Sequence, residues 1–485
     1  MNFTNRRQFL KQVNCAGVGT SAVLSTILNL QLADRLAGQE DEAGKSLVCL
    51  FLGGGMDSFN FLVPNDLERY AIYSTSRGRF GSSGGISLER SSLLPLASPI
   101  QDYGLHPACR GIHELATGTG RFAGKARLSF IANVGTLVQP LTKGEFIAWE
   151  NGANTIPVPR ALFSHSDQME QWQTAVPQGM DKLSGWAGRS SDILNSIHNR
   201  SSLSMNISLS GNNLLQAGER TKPFVITPSG SLLFSGDQFQ DSESLINLKN
   251  SGLRGLLDLQ YSSLLSQAFS SSTRAGDEVQ RQFQSEIQSD EGDLGGFVTS
   301  LFPQDPLSRS LRTVVQAIKI AGRLGMKRQT FFVNFGGWDH HGELLDTQDG
   351  MLRMLDASLT AFQRSLEVLG LADRVVTFSA SDFGRSLRSN GRGSDHAWGG
   401  NAFVLGGPVN GGRIFGRYPS LELNGPDDIG RGGRFLPSTS VDLYFAELLR
   451  WFGVGSSDLA YVLPNIGNFY RTASENPPIG FLKQA

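Results

Sequence analysis

Cysteine is scarce in this chain, histidine nearly so, and no apolar run is long enough to make a stable membrane span. Three cysteines in 485 residues (Cys15, Cys49 and Cys109) form no CxxC pair, which excludes thiolate metal modules and a disulfide-built scaffold. Cys49 lies in an apolar, strand-like stretch, which argues against a bridge to Cys109. A net charge of −1 without a long basic run excludes a nucleic-acid partner held by phosphate neutralisation. The glycine cluster Gly53-Gly54-Gly55 lacks the Gly-Lys-Ser/Thr ending of a Walker phosphate loop. With 39% hydrophobic residues and 57 glycines, the composition is that of a globular α/β protein rich in tight turns.

The N-terminus carries an address. Arg6-Arg7 is followed by Phe9-Leu10-Lys11 and then by a weakly apolar, Gly/Ser/Thr-rich run from Ala16 to Leu30. This resembles a bacterial twin-arginine export signal, recognised by the twin-arginine machinery. The run is too short and too polar for a stable span. Residues 1–44 are therefore read as signal and linker, and the protein as periplasmic or extracellular. That pathway carries folded proteins, which agrees with a metal loaded before export.

Beyond the linker, Ser46–Leu52, Leu128–Val134, Thr330–Phe335 and Arg374–Ser379 read as strands buried on both faces, with a shorter strand at 401–405. Apolar residues three and four apart from Met351 to Leu369 predict an amphipathic helix between two of them. The resulting β-α-β unit implies a parallel sheet. The expected fold is a three-layer α/β/α domain over 45–470, with a helical insertion at about 237–327 and a tail at 471–485.

Of the seven histidines, His340, His341 and His396 fall in one region rich in acid–imidazole clusters. Phe331–Phe335 ends in Gly336-Gly337-Trp338 and then presents Asp339, His340 and His341. Asp382 and Arg385 follow the next strand, and Asp395-His396 sits in a Gly/Ser-rich loop. Carboxylates and imidazoles on loops after strands are the donors a metal site needs. In a parallel sheet Asp57, Asp339 and Asp382 should converge at the carboxyl edge. Spacing leaves open which of His340 and His341 binds metal: both could, or one could stand behind the ligands or act as an acid–base group. Arg385 could clamp an anionic oxygen or pair with a carboxylate. Ser164, in Ser164-His165-Ser166-Asp167, is either a nucleophile or a helix N-cap. His106, His113 and His198 are read as structural or surface residues.

These motifs occur in a definite order: Gly53-Gly54-Gly55-Met56-Asp57, Leu105-His106-Pro107, Ile131 to Gly135, Ser164-His165, Gly185 to Arg189, Gly336 to His341, Asp382 to Arg385 and Asp395-His396. Over about 45–470 they resemble the bacterial exported family called domain of unknown function 1501, which is similar to the alkaline phosphatase and sulfatase superfamily. That resemblance implies a metal held by Asp339, His341 and His396, a second metal region opened by Asp382, a carboxylate at Asp57, and Ser164 as attacking residue. Phe383 stands where phosphatases usually have histidine, and the sulfatase signature Cys-x-Pro-x-Arg is absent. One divalent ion, or a second one on oxygen donors (Mg, Ca or Mn beside Zn), is implied. The expected activity is hydrolysis of phosphate or sulfate esters at a metal-activated serine or water. His340 would be the acid for the leaving group and Arg385 an anion contact. A degenerate envelope protein that binds metal or an anionic glycan is the alternative, and a polysaccharide-modifying transferase a third reading.

Overall fold

Lys45–Leu52 carries seven buried residues in a row because it runs through the middle of a sheet covered on both faces. In the computed structural model, which describes residues 44–153, 156–179, 184–227, 230–231, 243–291 and 296–484, this strand pairs in parallel with two others. Cys49 lies opposite Phe378 of Val375–Ser381 on one side and Phe332 of Arg328–Asn334 on the other. The sheet runs Ile414–Phe415, Leu128–Gly135, Gly400–Gly406, Val375–Ser381, Lys45–Leu52, Arg328–Asn334, Asn206–Ser208, Phe224–Thr227 and Gly230–Ser231. Thr439–Ser440 pairs alongside Leu128–Gly135. Most pairings are parallel. Gly400–Gly406 is antiparallel to both neighbours, and Gly230–Ser231 is antiparallel to Phe224–Thr227.

Alternate residues of a strand point to opposite faces, and each face has its own helices. His165–Thr174, Trp186–His198 and Val441–Phe452 bring Trp172, Trp186 and Phe445 onto the side that holds Cys49 and Phe378. Arg110–Thr117, Pro306–Ile320 and Leu344–Val368 form the other layer. The fold is thus α/β, with a mainly parallel central sheet between helices. The helix read over 351–369 begins earlier, at Leu344, and ends at Val368.

The interval 237–327 is helical where it is described, but not uniformly separate. Glu243–Leu257 and the front of Leu264–Glu291 stand away from the core, whereas Pro306–Ile320 is largely buried and completes a layer. Nor does the chain end loosely after 470. Phe481 and Leu482 are core residues, and the buried Glu447 carboxylate accepts the N–H groups of Ile479, Gly480 and Leu482 at 2.8, 2.6 and 2.6 Å. Cys49 and Cys109 are both buried and free. The twin-arginine stretch lies outside the described residues, and no helix among the described ones is long and apolar enough to cross a membrane.

Candidate metal centre

Three adjacent strands deliver their carboxyl ends to one place. Arg328–Asn334 leads through Gly336-Gly337 to Asp339, Val375–Ser381 leads to Asp382, and Lys45–Leu52 leads to the Gly53-Gly54-Gly55 turn. That turn must be glycine. Gly54, at φ +113, lies so close to the Trp338–Asp339 backbone that a Cβ would sit 2.6 Å from the Asp339 nitrogen. Gly55, at φ +76, has the Phe383 ring 2.5 Å from where its Cβ would be. No L side chain fits either position without displacing the Asp339 loop or Phe383.

Two further segments close the site. Ser394–His396 pairs with Arg385–Ser389 so that Arg385 lies opposite His396. His165 opens the helix His165–Thr174 after a loop in which Ala161 and Phe163 adopt left-handed backbone (φ +44 and +73). Such conformations cost about 1–3 kcal/mol each in a non-glycine residue and cluster at functional sites. Here the Arg434 guanidinium lies 4.0 Å over the Phe163 ring, and the Phe163 carbonyl accepts from His396 Nδ1 at 2.7 Å.

His165, Asp339 and His396 each offer one donor atom, all within 4.8 Å of one another, a group that could hold a metal ion. The Asp339 Oδ1 atom lies 3.4 Å from His165 Nε2 and 3.4 Å from His396 Nε2. Tetrahedral bonds of about 2.0–2.1 Å would separate neighbouring donors by roughly 3.3 Å. His341 closes on the Asp339–His396 edge of this triangle, with its Nε2 3.1 Å from Asp339 Oδ1 and 2.8 Å from His396 Nε2.

The outer ring nitrogens explain why the inner ones converge. His165 Nδ1 donates to Asp382 at 2.6 Å, His341 Nδ1 to Asp395 at 3.2 Å and His396 Nδ1 to the Phe163 carbonyl. A carbonyl or an ionised carboxylate can only accept, so each ring carries its proton on Nδ1 and presents a lone pair at Nε2. The His165 Nε2 is itself buried and has no hydrogen-bond partner. An acceptor behind each imidazole is the arrangement that orients metal-binding histidines. Imidazole nitrogens with one carboxylate suit a transition cation such as Zn rather than Ca or Mg, which favour all-oxygen sites.

Electrostatics run the same way. Burial alone would raise the Asp339 carboxyl, but the bonded Arg385 guanidinium outweighs it and holds the group below the ordinary carboxylate range. Burial, helped by the Arg385 charge, pushes His396 below the usual imidazole range, leaving it neutral and able to act as a donor. Asp395, despite partial burial, is lowered by its bonds from Asn390 and His341. The cluster opens to solvent on one side, where the Asp339 and His341 side chains are about half exposed.

The remaining sequence-derived candidates sit elsewhere or are otherwise engaged. Asp57 is fully buried in an ion pair with Arg77 and also accepts from Ser394 Oγ at 3.0 Å, so its charge is already compensated. Asp382 accepts the Gly54 N–H and the His165 Nδ1–H, so it stands behind a histidine of the first group. Among the described residues no second group of three donors forms around either carboxylate. Arg385 is buried, and its guanidinium is bonded to Asp339 and to the carbonyls of Gly54, Gly55 and Ser394, so an anion clamp is not what the geometry presents. His340 is buried, with no partner on either ring nitrogen, and burial followed by the Arg385 charge holds it below the usual imidazole range. Ser164 is the N-cap without making the capping bond, and its hydroxyl donates to Asp167 at 2.7 Å.

His165 is the member of the cluster that sequence reasoning passed over in favour of the serine before it. The available signal was a histidine at the start of a helix, directly after the Ala161–Phe163 loop. Phe163 packs against an apolar cluster that includes Leu137 and Leu436.

Comparison with curated proteins gives no match. Among solved structures, the chain is similar to the crystal structure of Ps i-CgsB in complex with k-i-k-neocarrahexaose at 10% identity and a TM-score of 0.29, covering 87% of this chain and 72% of that one. The crystal structure of Ps i-CgsB alone matches at 11% identity and a TM-score of 0.32, with the same coverage. One family model spans most of the sequence, residues 44–428, and the chain belongs to that family, described as protein of unknown function (DUF1501).

Proposed function

We propose that this protein is an exported, metal-dependent hydrolase of phosphate or sulfate esters. The observation that carries the reading is the convergence of His165, His341 and His396, each fixed as the Nδ1–H tautomer, on the Asp339 carboxylate. His165, Asp339 and His396 would hold one divalent cation, with His341 at their edge. When bound, such a cation polarises an ester oxygen and lowers the pKa of water or a hydroxyl.

The chain's own groups supply the rest. Asp382, Asp395 and the Phe163 carbonyl keep the three lone pairs aimed inward. Arg385 fixes the Asp339 rotamer from behind. Ser164 adjoins the ligand His165, and Asp167, already bonded to its hydroxyl, is placed to take that proton if serine is the attacking group. Resemblance to the alkaline phosphatase and sulfatase superfamily supports this chemistry, and the Arg6-Arg7 leader supports export.

One observation favours a second reading, a metal- or glycan-binding envelope protein without turnover. The Arg385 guanidinium is bonded to the Gly54, Gly55 and Ser394 carbonyls and so is not free to contact an anion.

Elemental analysis of chelator-free protein, beside an Asp339→Ala/His396→Ala variant, separates these readings when joined to assays on p-nitrophenyl phosphate and sulfate. Near-stoichiometric metal that the variant lacks, with turnover, supports the hydrolase. Metal without turnover favours the binding protein. No metal after dialysis against Zn, Mn, Mg and Ca would sink the hydrolase.

A further inference from the structure

The helix Glu243–Leu257 exposes an apolar stripe that the metal centre does not explain. Leu245, Leu248, Leu256 and Leu259 are 39, 68, 56 and 54% exposed, while Leu257 turns inward and is buried. Leu259 still belongs to this helical turn, because its N–H donates to the Leu256 carbonyl at 3.3 Å. Gly252 lies at the midpoint, and a Cβ built there meets nothing within 4 Å.

The spacing is palindromic about Gly252. Leu248 and Leu256 are four residues to either side of it, and Leu245 and Leu259 seven to either side. On a helix turning about 100° per residue, all four fall within about 40° of the Gly252 direction. A two-fold interface requires that residue i of one copy meet residue j of the other while j meets i. An antiparallel pairing of two such helices through Gly252 does this, setting Leu248 on Leu256 and Leu245 on Leu259 of the second copy. The glycine at the crossing lets the backbones approach closely. A lone surface leucine needs no explanation, but a contiguous stripe does.

The area is of the right size. The helix Leu264–Glu291 that follows begins with three more exposed apolar residues, Leu264, Leu265 and Phe269, at 80, 83 and 69% exposure. At roughly 180 Å² per side chain the seven exposures amount to about 800 Å² per copy, the amount a standard interface covers on each partner. We infer that this protein is a two-fold dimer joined by antiparallel packing of Glu243–Leu257 on its counterpart in a second copy of the chain. This is independent of the metal-centre reading.

Sedimentation equilibrium on the full chain tests it, beside Leu248→Glu, Gly252→Cys and Arg254→Cys. The parent should be dimeric, and Leu248→Glu should weaken association more than tenfold with an unchanged circular dichroism spectrum. Under mild oxidation Gly252→Cys should link to itself across the axis, while Arg254→Cys, on another side of the helix, should not. A parent that stays monomeric overturns the inference, as does a dimer indifferent to Leu248→Glu, or equal cross-linking at both cysteines. If the monomer instead floats with anionic phospholipid vesicles and Leu248→Glu does not, a lipid surface covers the stripe and the dimer is wrong.

Discussion

The Nε2 atoms of His341 and His396 face each other across 2.8 Å, although each ring already places its proton on Nδ1. Two lone pairs at that separation repel, and only a shared proton or a cation relieves them. Metal binding should therefore depend steeply on these rings. Replacing His396 with alanine should lower affinity for Zn more than about 100-fold, since even outer partners of metal ligands are worth about 10–100-fold. Competition against a chromogenic chelator measures this, and an unchanged affinity would remove His396 from the ligand set.

Asp382 acts through His165. Asp382→Asn can still accept the Gly54 N–H but no longer holds a full charge against His165 Nδ1. Metal affinity should fall about 10–100-fold while the thermal midpoint of the metal-free protein moves little. An affinity equal to that of the parent would show that His165 does not bind the metal.

Asp442 gives a pH dependence unconnected with the site. Its carboxyl is fully buried, neither oxygen has a partner, and burial pushes its pKa up to about 8. Between the ordinary carboxylate range and about 8 the folded protein keeps a proton that the unfolded chain has lost. Stability from this group is fully present below the unfolded pKa and falls as pH rises through the folded one. Asp442→Asn should raise the thermal midpoint by several degrees at pH 8 and by little at pH 4 to 5. Equal gains at both ends would show that Asp442 is ionised in the fold.

The C-terminal segment is part of the core. Deleting residues 479–485 removes Phe481 and leaves Glu447 without its three N–H donors. Loss of a buried phenylalanine costs about 3–5 kcal/mol, so the urea midpoint should drop markedly. A midpoint within error of the parent would show that the segment does not dock in solution.

The sequence made the centre of the sheet legible because strands buried on both faces read as unbroken apolar runs. Ser46–Leu52 and Leu128–Val134 were each recognisable to within one or two residues of their observed ends. Short pieces such as Asn206–Ser208, inside the sheet, and Ile414–Phe415, at its edge, span too few residues to show a period, and they form only because a neighbour offers unpaired backbone. Asp339, His341 and His396 drew attention because strand-end loops carry them. His165 did not, since nothing in a helical pattern says that a first-turn side chain points back at a sheet edge. Asp57 and Arg385 illustrate the converse: the chain shows charges at the right places, but only the fold shows that Arg77 and several backbone carbonyls already occupy them.

His165, Asp339 and His396 come from a helix start, a strand-end loop and a hairpin, segments far apart along the chain. An ion shared among them would fasten the ends of long loops, the task a disulfide performs in many secreted proteins. Cys49 and Cys109 are free and buried and perform no such task here. Durability would then depend on metal supply. Chelation should loosen the 161–165 and 390–396 loops first, so proteases would reach that rim while the sheet beneath it stayed intact.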